Sequence, residues 1–229
     1  GIMMDNHPDY LTLIVALNRM GAVAVLINPG SQGSVLEQAI SEGRVNGVIA
    51  DPAHLDAVQE VLTNDRTWMV WGNNSGAEVP KGVACLEKLM DRRIRECPLK
   101  SGANPGHADD IAMLIFTSGT TGLPKAARIS NGRWMMAATG AAVAGGLTPN
   151  DTVYCCLPLY HATGLLLGAG GAMVGGSRLV LSPKFSVSGF WHDVRQCGAT
   201  VIFYVGELCR YLITAPHSPS EKNHSVRLF

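Results

Sequence analysis

Apolar residues in the amino-terminal third of the chain follow two alternating patterns. Short uncharged runs, such as Ala22–Ile27 and Val45–Ala50, predict buried β-strands. Between the runs, apolar residues recur at every third or fourth position, as from Tyr10 to Leu17, which predicts helices. Wholly apolar strands that alternate with helices are typical of parallel sheets. We therefore predict an α/β fold with mostly parallel sheets and helices on both faces.

Capping residues mark where several of these elements begin. Pro8 suits the first turn of a helix, and Ser34 with Glu37 has the spacing of a capping box. Asp51 and Pro52 predict a further helix start. The pattern predicts later helices over 83–94, 131–143, 162–174, 188–197 and 207–213. In the helix over 188–197, Phe190, Trp191 and Val194 are expected to be buried. Later strands are predicted over 67–71, 111–116, 126–129, 152–157, 179–181 and 199–205.

The most distinctive stretch follows the apolar run Ile111–Phe116. Residues Thr117–Gly122 are all hydroxyl residues or glycine, and Lys125 follows. Glycine lets backbone N–H groups turn inward as an anion-binding nest, hydroxyls add donors, and lysine adds a positive charge. This combination favours a phosphate-binding loop, although a solvated surface loop has the same composition. It is not a Walker A motif, because the glycine spacing differs and Ala126 follows the lysine.

These residues resemble a known family. The segment Thr-Ser-Gly-Thr-Thr-Gly-Leu-Pro-Lys, residues 117–125, matches the signature of adenylate-forming enzymes, which include acyl-CoA synthetases, adenylation domains and luciferases. Cys156–His161, Lys184–Ser186 and Gly206–Leu212 resemble the branch of very-long-chain acyl-CoA synthetases, also called fatty-acid transport proteins. The similarity covers nearly the whole chain.

The resemblance implies a two-step ligase reaction. A fatty-acid carboxylate attacks the α-phosphate of ATP to give an acyl-adenylate and pyrophosphate, and the coenzyme A thiol then displaces AMP. Mg²⁺ is implied with ATP. His161 would line the junction of the acyl and adenylate pockets, Lys125 would neutralise phosphate charge, and Glu207 is a weaker pocket candidate. The implied phosphate-binding residues are Thr117, Ser118, Gly119, Thr120, Thr121, Gly122 and Lys125.

Several interpretations remain open. His161 at a strand end could be an ordinary surface histidine, and Glu207 could simply be an acid favoured in the first turn of a helix. Residues 1–229 are expected to be a partial amino-terminal domain, without the family's adenine and ribose motifs, hinge or carboxy-terminal domain. The chain alone is then expected to be inactive. Alternatives are a truncated nucleotide-binding remnant and a fatty-acyl-AMP ligase. A hydrolase is disfavoured because there is no Gly-x-Ser-x-Gly motif.

Composition narrows the partners and the location. The formal net charge is zero, which disfavours nucleic-acid binding and leaves small molecules as the expected partners. The six cysteines show no Cys-x-x-Cys pair and are expected to be reduced core thiols of a cytoplasmic protein. The other six histidines show no metal-ligand spacing, so no metal ligands are assigned. No apolar stretch is long enough to span a bilayer, and peripheral membrane association is implied only by the resemblance.

Overall fold

The computed structural model describes residues 1–62, 69–70, 83–86, 88, 106–118, 124–217 and 219–229. The chain divides into two compact units. The first unit consists of Gly1–Asp5 and Asp9–Ser130, and the second consists of Asn6–Pro8 and Asn131–Phe229. Asn6 therefore belongs with the carboxy-terminal half, although it is close to the start of the sequence.

The first unit is built on a largely parallel sheet, which confirms the predicted fold class. Its strands are ordered β5-β4-β3-β1-β2-β6-β7, and each neighbouring pair is parallel except β6 and β7. These strands are β1 (Ile2–Met3), β2 (Ala24–Leu26), β3 (Ile49–Ala50), β4 (Met69–Val70), β5 (Ala84–Cys85), β6 (Ile111–Ser118) and β7 (Pro124–Ser130).

The helices of the first unit are α1 (Pro8–Arg19), α2 (Gly33–Glu42) and α3 (Leu55–Val61), with a 3₁₀ turn at Pro52–His54. The predicted capping box is wrong, because α2 begins at Gly33 with Gln32 as its N-cap. Gly33 adopts a φ of +51°, so the chain turns into the helix before Ser34. Asp51 makes no capping hydrogen bond either. Its carboxylate instead accepts the Asp5 N–H at 2.9 Å.

The helix predicted over 83–94 is also wrong at its start. Ala84–Cys85 is a strand that pairs in parallel with Met69–Val70. Short segments that are only partly apolar are ambiguous by periodicity, and here pairing at the edge of the sheet decided the outcome. Residues 89–94 lie outside the described part of the chain.

The core of the first unit forms where α2 and α3 pack on the sheet. Fully buried members include Met3, Ile27, Leu36 and Val58. Leu36 and Ile40 lie four residues apart on α2, so they share one face of the helix, and both are buried.

The second unit contains a smaller, fully parallel sheet in the order β10-β8-β9. Among the described residues, the predicted helix over 162–174 contains a π-helical segment, Thr163–Ala169. The elements are α4 (Asn131–Ala144), β8 (Thr152–Cys155), the π-helix, α5 (Gly170–Gly175), β9 (Arg178–Leu181), α6 (Phe190–Cys197), β10 (Val201–Ile202), α7 (Gly206–Thr214) and a 3₁₀ turn (Pro219–Lys222).

Small residues let α4 approach the glycine-rich helix closely. A Cβ on Gly170 would lie 2.9 Å from the Ala138 Cβ, and one on Gly171 would lie 3.1 Å from the Ala141 Cβ. On α6, Phe190 and Val194 are buried, but Trp191 is only partly buried. The predicted burial is therefore confirmed for Phe190 and Val194 and only in part for Trp191, which packs against the core and stacks on His224.

A buried carboxylate organises the start of β8. Asp151 accepts hydrogen bonds from Arg227 at 2.8 and 3.0 Å, from the Thr200 hydroxyl at 2.7 Å and from the Thr148 N–H at 2.9 Å. The Arg227 hydrogen bonds hold the pKa of Asp151 well below its usual range. These bonds join three stretches of the chain that are distant in sequence.

Among the described helices, none is both long enough and apolar enough to cross a bilayer.

We predict that Asp151→Asn lowers the free energy of unfolding by about 2 kcal/mol at pH 7, because charge-assisted hydrogen bonds are lost. A depressed folded-state pKa stabilises the protein above the unfolded-state pKa, and this contribution is lost as the pH falls. The difference between wild type and Asp151→Asn should therefore shrink below about pH 4. Urea unfolding at pH 7 and at pH 3.5 measures it, and a difference that is independent of pH would contradict this role.

Candidate functional site

The β6–β7 hairpin brings the two ends of the hydroxyl- and glycine-rich stretch together. Thr117 pairs with Lys125 across the antiparallel ladder, and Ser118 pairs with Pro124. The Thr117 hydroxyl donates a long hydrogen bond of 3.5 Å to the Lys125 carbonyl oxygen. Directly opposed residues on antiparallel strands point to the same face of a sheet. Thr117 and Lys125 therefore present a hydroxyl and an ammonium group on one face, and both residues are exposed.

The strand extends further than the sequence predicts. Thr117 and Ser118 complete β6 rather than opening a loop. Lys125 lies inside β7, which confirms the predicted return strand and lengthens it. The remaining predicted phosphate-binding residues, Gly119, Thr120, Thr121 and Gly122, lie outside the described residues.

His161 lies in the second unit, in the connection between β8 and the π-helix. Its N–H donates to the Pro158 carbonyl oxygen at 3.1 Å, and its own carbonyl oxygen accepts the Leu165 N–H at 3.0 Å. The Tyr160 ring lies against the imidazole, with the ring centroids 4.4 Å apart. His161 thus follows the carboxyl end of a parallel strand, which is where open α/β sheets bind ligands.

The protein around His161 favours its neutral form. Part of the side chain is exposed, yet desolvation by the surrounding atoms lowers the pKa of His161 below its ordinary value. A neutral imidazole keeps one ring N–H donor and one acceptor nitrogen. At neutral pH the group can therefore make a hydrogen bond without adding a positive charge to the site.

The backbone around His161 is tightly packed. A Cβ on Gly164 would lie 2.3 Å from the Pro158 carbonyl oxygen and 2.8 Å from that of Leu157. The Cys155 thiol lies 3.6 Å from the Leu157 carbonyl oxygen and 3.7 Å from that of Gly164. Burial raises the pKa of Cys155 to about 11, so the thiol is protonated and can donate. The segment that follows, Thr163–Ala169, is π-helical, and π-helical insertions often occur at functional sites.

Glu207 follows β10, the strand next to β8, but its side chain is engaged elsewhere. It forms an exposed ion pair with Arg210 on the same helix, in which Arg210 Nε donates at 2.9 Å. The hydrogen bond from Arg210 lowers the pKa of Glu207 to about 2. This arrangement is the one expected of an acid in the first turn of a helix.

Asn6 makes polar contacts that the sequence did not predict. The Asn6 amide donates to the carbonyl oxygens of Leu157 at 2.9 Å and Ser182 at 3.0 Å. Its own oxygen accepts the Leu159 N–H at 2.8 Å. An asparagine shortly after a buried strand was the available signal, but its partners are about 150 residues away in sequence.

A second missed group lies in the first unit. Possible ligand atoms of Asp5, Asp51 and His54 lie within 4.8 Å of one another, and His54 Nε2 is 3.7 Å from the Asp5 carboxylate. Sequence spacing did not reveal the group because 46 residues separate the two aspartates. With the Asp5–Asp51 hydrogen bond, these contacts link the carboxyl ends of β1 and β3.

The second unit also contains an apolar cavity of about 460 Å³. No predicted site residue that the structure describes contributes to its wall. Its lining consists of Trp191, Cys209, Leu212, Ile213, His224, Val226, Arg227, Leu228 and Phe229.

The class of the protein follows from comparison with known families, and the parallel α/β sheets agree with it. Residues 1–229 match the AMP-binding enzyme family. The chain belongs to this family.

Related sequences include the mouse protein named long-chain fatty acid transport protein 6, which is 36% identical over 228 residues. A medium/long-chain-fatty-acid–CoA ligase of Mycobacterium tuberculosis is 34% identical over 234 aligned positions. These alignments cover 99% and 100% of this chain. They cover only 36% and 37% of the relatives, so the chain spans little more than a third of their length.

Solved structures show the same fold. A long-chain-fatty-acid–CoA ligase from Archaeoglobus fulgidus matches 93% of this chain and 41% of its own, with a TM-score of 0.77 at 24% identity. ATP-bound MatB from Rhodopseudomonas palustris matches 94% of this chain and 40% of its own, with a TM-score of 0.72 at 23% identity.

We predict that Gly164→Ala destabilises the protein by about 1–3 kcal/mol, because the new methyl group must push backbone carbonyls aside. The matched control is Gly140→Ala in α4, where a Cβ meets no atom within 4 Å. That change should stabilise the protein by roughly 0.5–1 kcal/mol, because alanine favours a helix. Thermal unfolding of both variants measures the contrast, and equal effects would contradict the packing described for Gly164.

Proposed function

We propose that this chain supplies the phosphate-binding hairpin and part of the acyl site of an ATP-dependent fatty acyl-CoA ligase. The substrates would be a fatty acid, ATP and coenzyme A, and the products acyl-CoA, AMP and pyrophosphate. The names of the related proteins support a fatty acid as the substrate, and the ATP-bound structure with the same fold supports ATP as the nucleotide. We also propose that residues 1–229 form part of a larger amino-terminal domain.

The observation that carries the proposal is the cross-strand pairing of Thr117 and Lys125. It places a hydroxyl donor and an exposed cation side by side, at the mouth of a segment whose sequence matches the family signature. Such a site must stabilise the negative charge of the phosphates. Donors fixed on strands need little reorganisation as charge develops in the transition state.

In the first half-reaction, an oxygen of the fatty-acid carboxylate attacks the α-phosphorus and the bond to pyrophosphate breaks. We propose that Lys125 neutralises the phosphate charge and that hydroxyls of 117–121, with backbone N–H groups, hold the phosphate oxygens. Mg²⁺ bound to the phosphates would supply further neutralisation of charge. Among the described residues at this end of the hairpin, Thr117 offers a hydroxyl and Lys125 an ammonium group, and both suit phosphate oxygens.

The second half-reaction is attack by the coenzyme A thiol on the acyl carbonyl carbon, with AMP as the leaving group. We propose that His161 lines the acyl–adenylate junction and donates one ring N–H to the acyl or phosphate oxygen. A neutral imidazole suits this task, since it keeps one ring N–H donor without adding a positive charge. Glu207 is a weaker member of the proposed pocket, because binding substrate would require it to exchange its ion pair with Arg210.

Replacement of Lys125 tests its proposed contact with the phosphates. In the full-length ligase proposed above, Lys125→Ala should slow fatty-acid-dependent pyrophosphate release by ~10²-fold. The reason is that one donor that stabilises the transition state is lost. Arg128→Ala is the matched control, because Arg128 is an exposed cation on the same strand whose side chain points to the opposite face. Equal effects of the two changes would contradict a specific role for Lys125.

The 229-residue chain can also be assayed by itself. It should bind ATP weakly and release no pyrophosphate, because it spans little more than a third of the relatives' length. Calorimetry with MgATP and a pyrophosphate assay with fatty acid test this together. Turnover by the isolated chain would contradict the need for further residues. Release of pyrophosphate without thioester formation by the longer polypeptide would favour a fatty-acyl-AMP ligase instead.

A further inference from the structure

Asn6 uses its whole amide group to hold the segment that carries His161. Both of its N–H donors and its carbonyl oxygen bond to backbone, at 2.9 Å to Leu157, 3.0 Å to Ser182 and 2.8 Å to Leu159. The reverse orientation of the amide would set its oxygen against two carbonyl oxygens, so the network itself fixes which atom is which.

These bonds act where the backbone has few partners of its own. Pro158 has no N–H, and the connection from the end of β8 to the π-helix is only seven residues long, 156–162. Asn6 fixes the residues on both sides of Pro158, and the Leu159 side chain is fully buried. His161 follows two residues later, and its N–H returns to the Pro158 carbonyl oxygen. The Asn6 contacts thus lie on the backbone that carries the imidazole.

Asn6 also joins two strand exits. Its bond to Ser182 reaches the residue that follows β9, while its bonds to Leu157 and Leu159 reach the connection after β8. These parallel strands are direct neighbours, with Cys155 paired to Leu181. One side chain thus sets the spacing of the two loops at the carboxyl edge of the second sheet.

We infer that Asn6 is a positioning residue for His161. It touches no reacting atom in this scheme; it acts by holding the 157–159 backbone so that the imidazole faces the substrate. This inference rests on the proposed function, because it requires that His161 acts in the ligase reaction.

A double-mutant cycle in the proposed full-length ligase tests whether Asn6 acts through His161. Misplacement of a catalytic group lowers turnover, so Asn6→Ala should reduce fatty-acid-dependent pyrophosphate release by ~10-fold. His161→Ala should reduce it by ~10²-fold. If Asn6 acts through His161, the double variant should match His161→Ala within about twofold. A merely structural role would make the two effects multiply, which would overturn the inference.

Asn28→Ala is the matched control. The Asn28 side chain also accepts a backbone hydrogen bond, from Gly30 at 2.9 Å, but that bond is local and lies in the first unit. Its effect on turnover should be small and should be the same with His161 present or replaced. Thermal unfolding of each variant reports whether it is folded. If Asn6→Ala does not fold, Asn6→Ser, which retains one hydroxyl, takes its place in the cycle.

The outcomes separate this inference from the proposed function. If Lys125→Ala and His161→Ala both impair turnover while the Asn6 effect multiplies with that of His161, only the positioning role fails. If His161→Ala leaves turnover unchanged, the role of His161 fails, and the positioning role fails with it. If Lys125→Ala also has no effect, the proposed ligase site fails as a whole.

Discussion

Backbone groups at the ends of buried parallel strands must find hydrogen-bond partners, and this requirement governs both units of the protein. Inside a sheet the ladder satisfies every N–H and carbonyl group, but at a strand end the ladder stops. In this protein, polar side chains take over at those points. Asp51 accepts the N–H of Asp5 after β1, Asp151 gathers the residues around the start of β8, and Asn6 binds the backbone after β8 and β9. Each of these side chains joins stretches that are remote in sequence, so each one both satisfies the backbone and fixes where a loop leaves the sheet.

The same requirement explains the chemistry proposed at the strand exits. Parallel strands place all their carboxyl ends at one edge, and loops there can present side chains to a ligand without disturbing the core. His161 follows such an exit in the second unit. Its surroundings lower its pKa by desolvation, while a buried, protonated Cys155 thiol and a close glycine contact hold the backbone beside it.

The β6–β7 hairpin is different, because its strands are antiparallel and it presents Thr117 and Lys125 from the ladder itself. The ladder fixes the backbones of Thr117 and Lys125, which suits the phosphate-binding role proposed for them.

Local patterns predicted some features and missed others for identifiable reasons. The predicted strand at 111–116 and return strand at 126–129 both form, because apolar runs and β-branched residues favour a half-buried ladder. The capping box at Ser34 does not form, because a glycine with positive φ starts the helix one residue earlier. The segment around Ala84 joins the sheet edge instead of forming a helix. Trp191 was expected to be buried, and it is buried only in part, packing against the core and stacking on His224. Periodicity assigns a residue to a face, but the neighbouring elements decide how much of that face is covered.

The sequence by itself determined the fold class, the family resemblance and the segment that we propose to bind phosphate, because these depend on hydrophobic periodicity and on a contiguous run of residues. It also placed His161 and Glu207 after strands, since strand ends follow from local pattern. Only the tertiary structure decided how those residues are used. It paired Thr117 with Lys125 on one face, engaged Glu207 with Arg210, and brought Asn6 to a backbone segment about 150 positions away. Contacts of that kind depend on which strands become neighbours, and no local spacing encodes them.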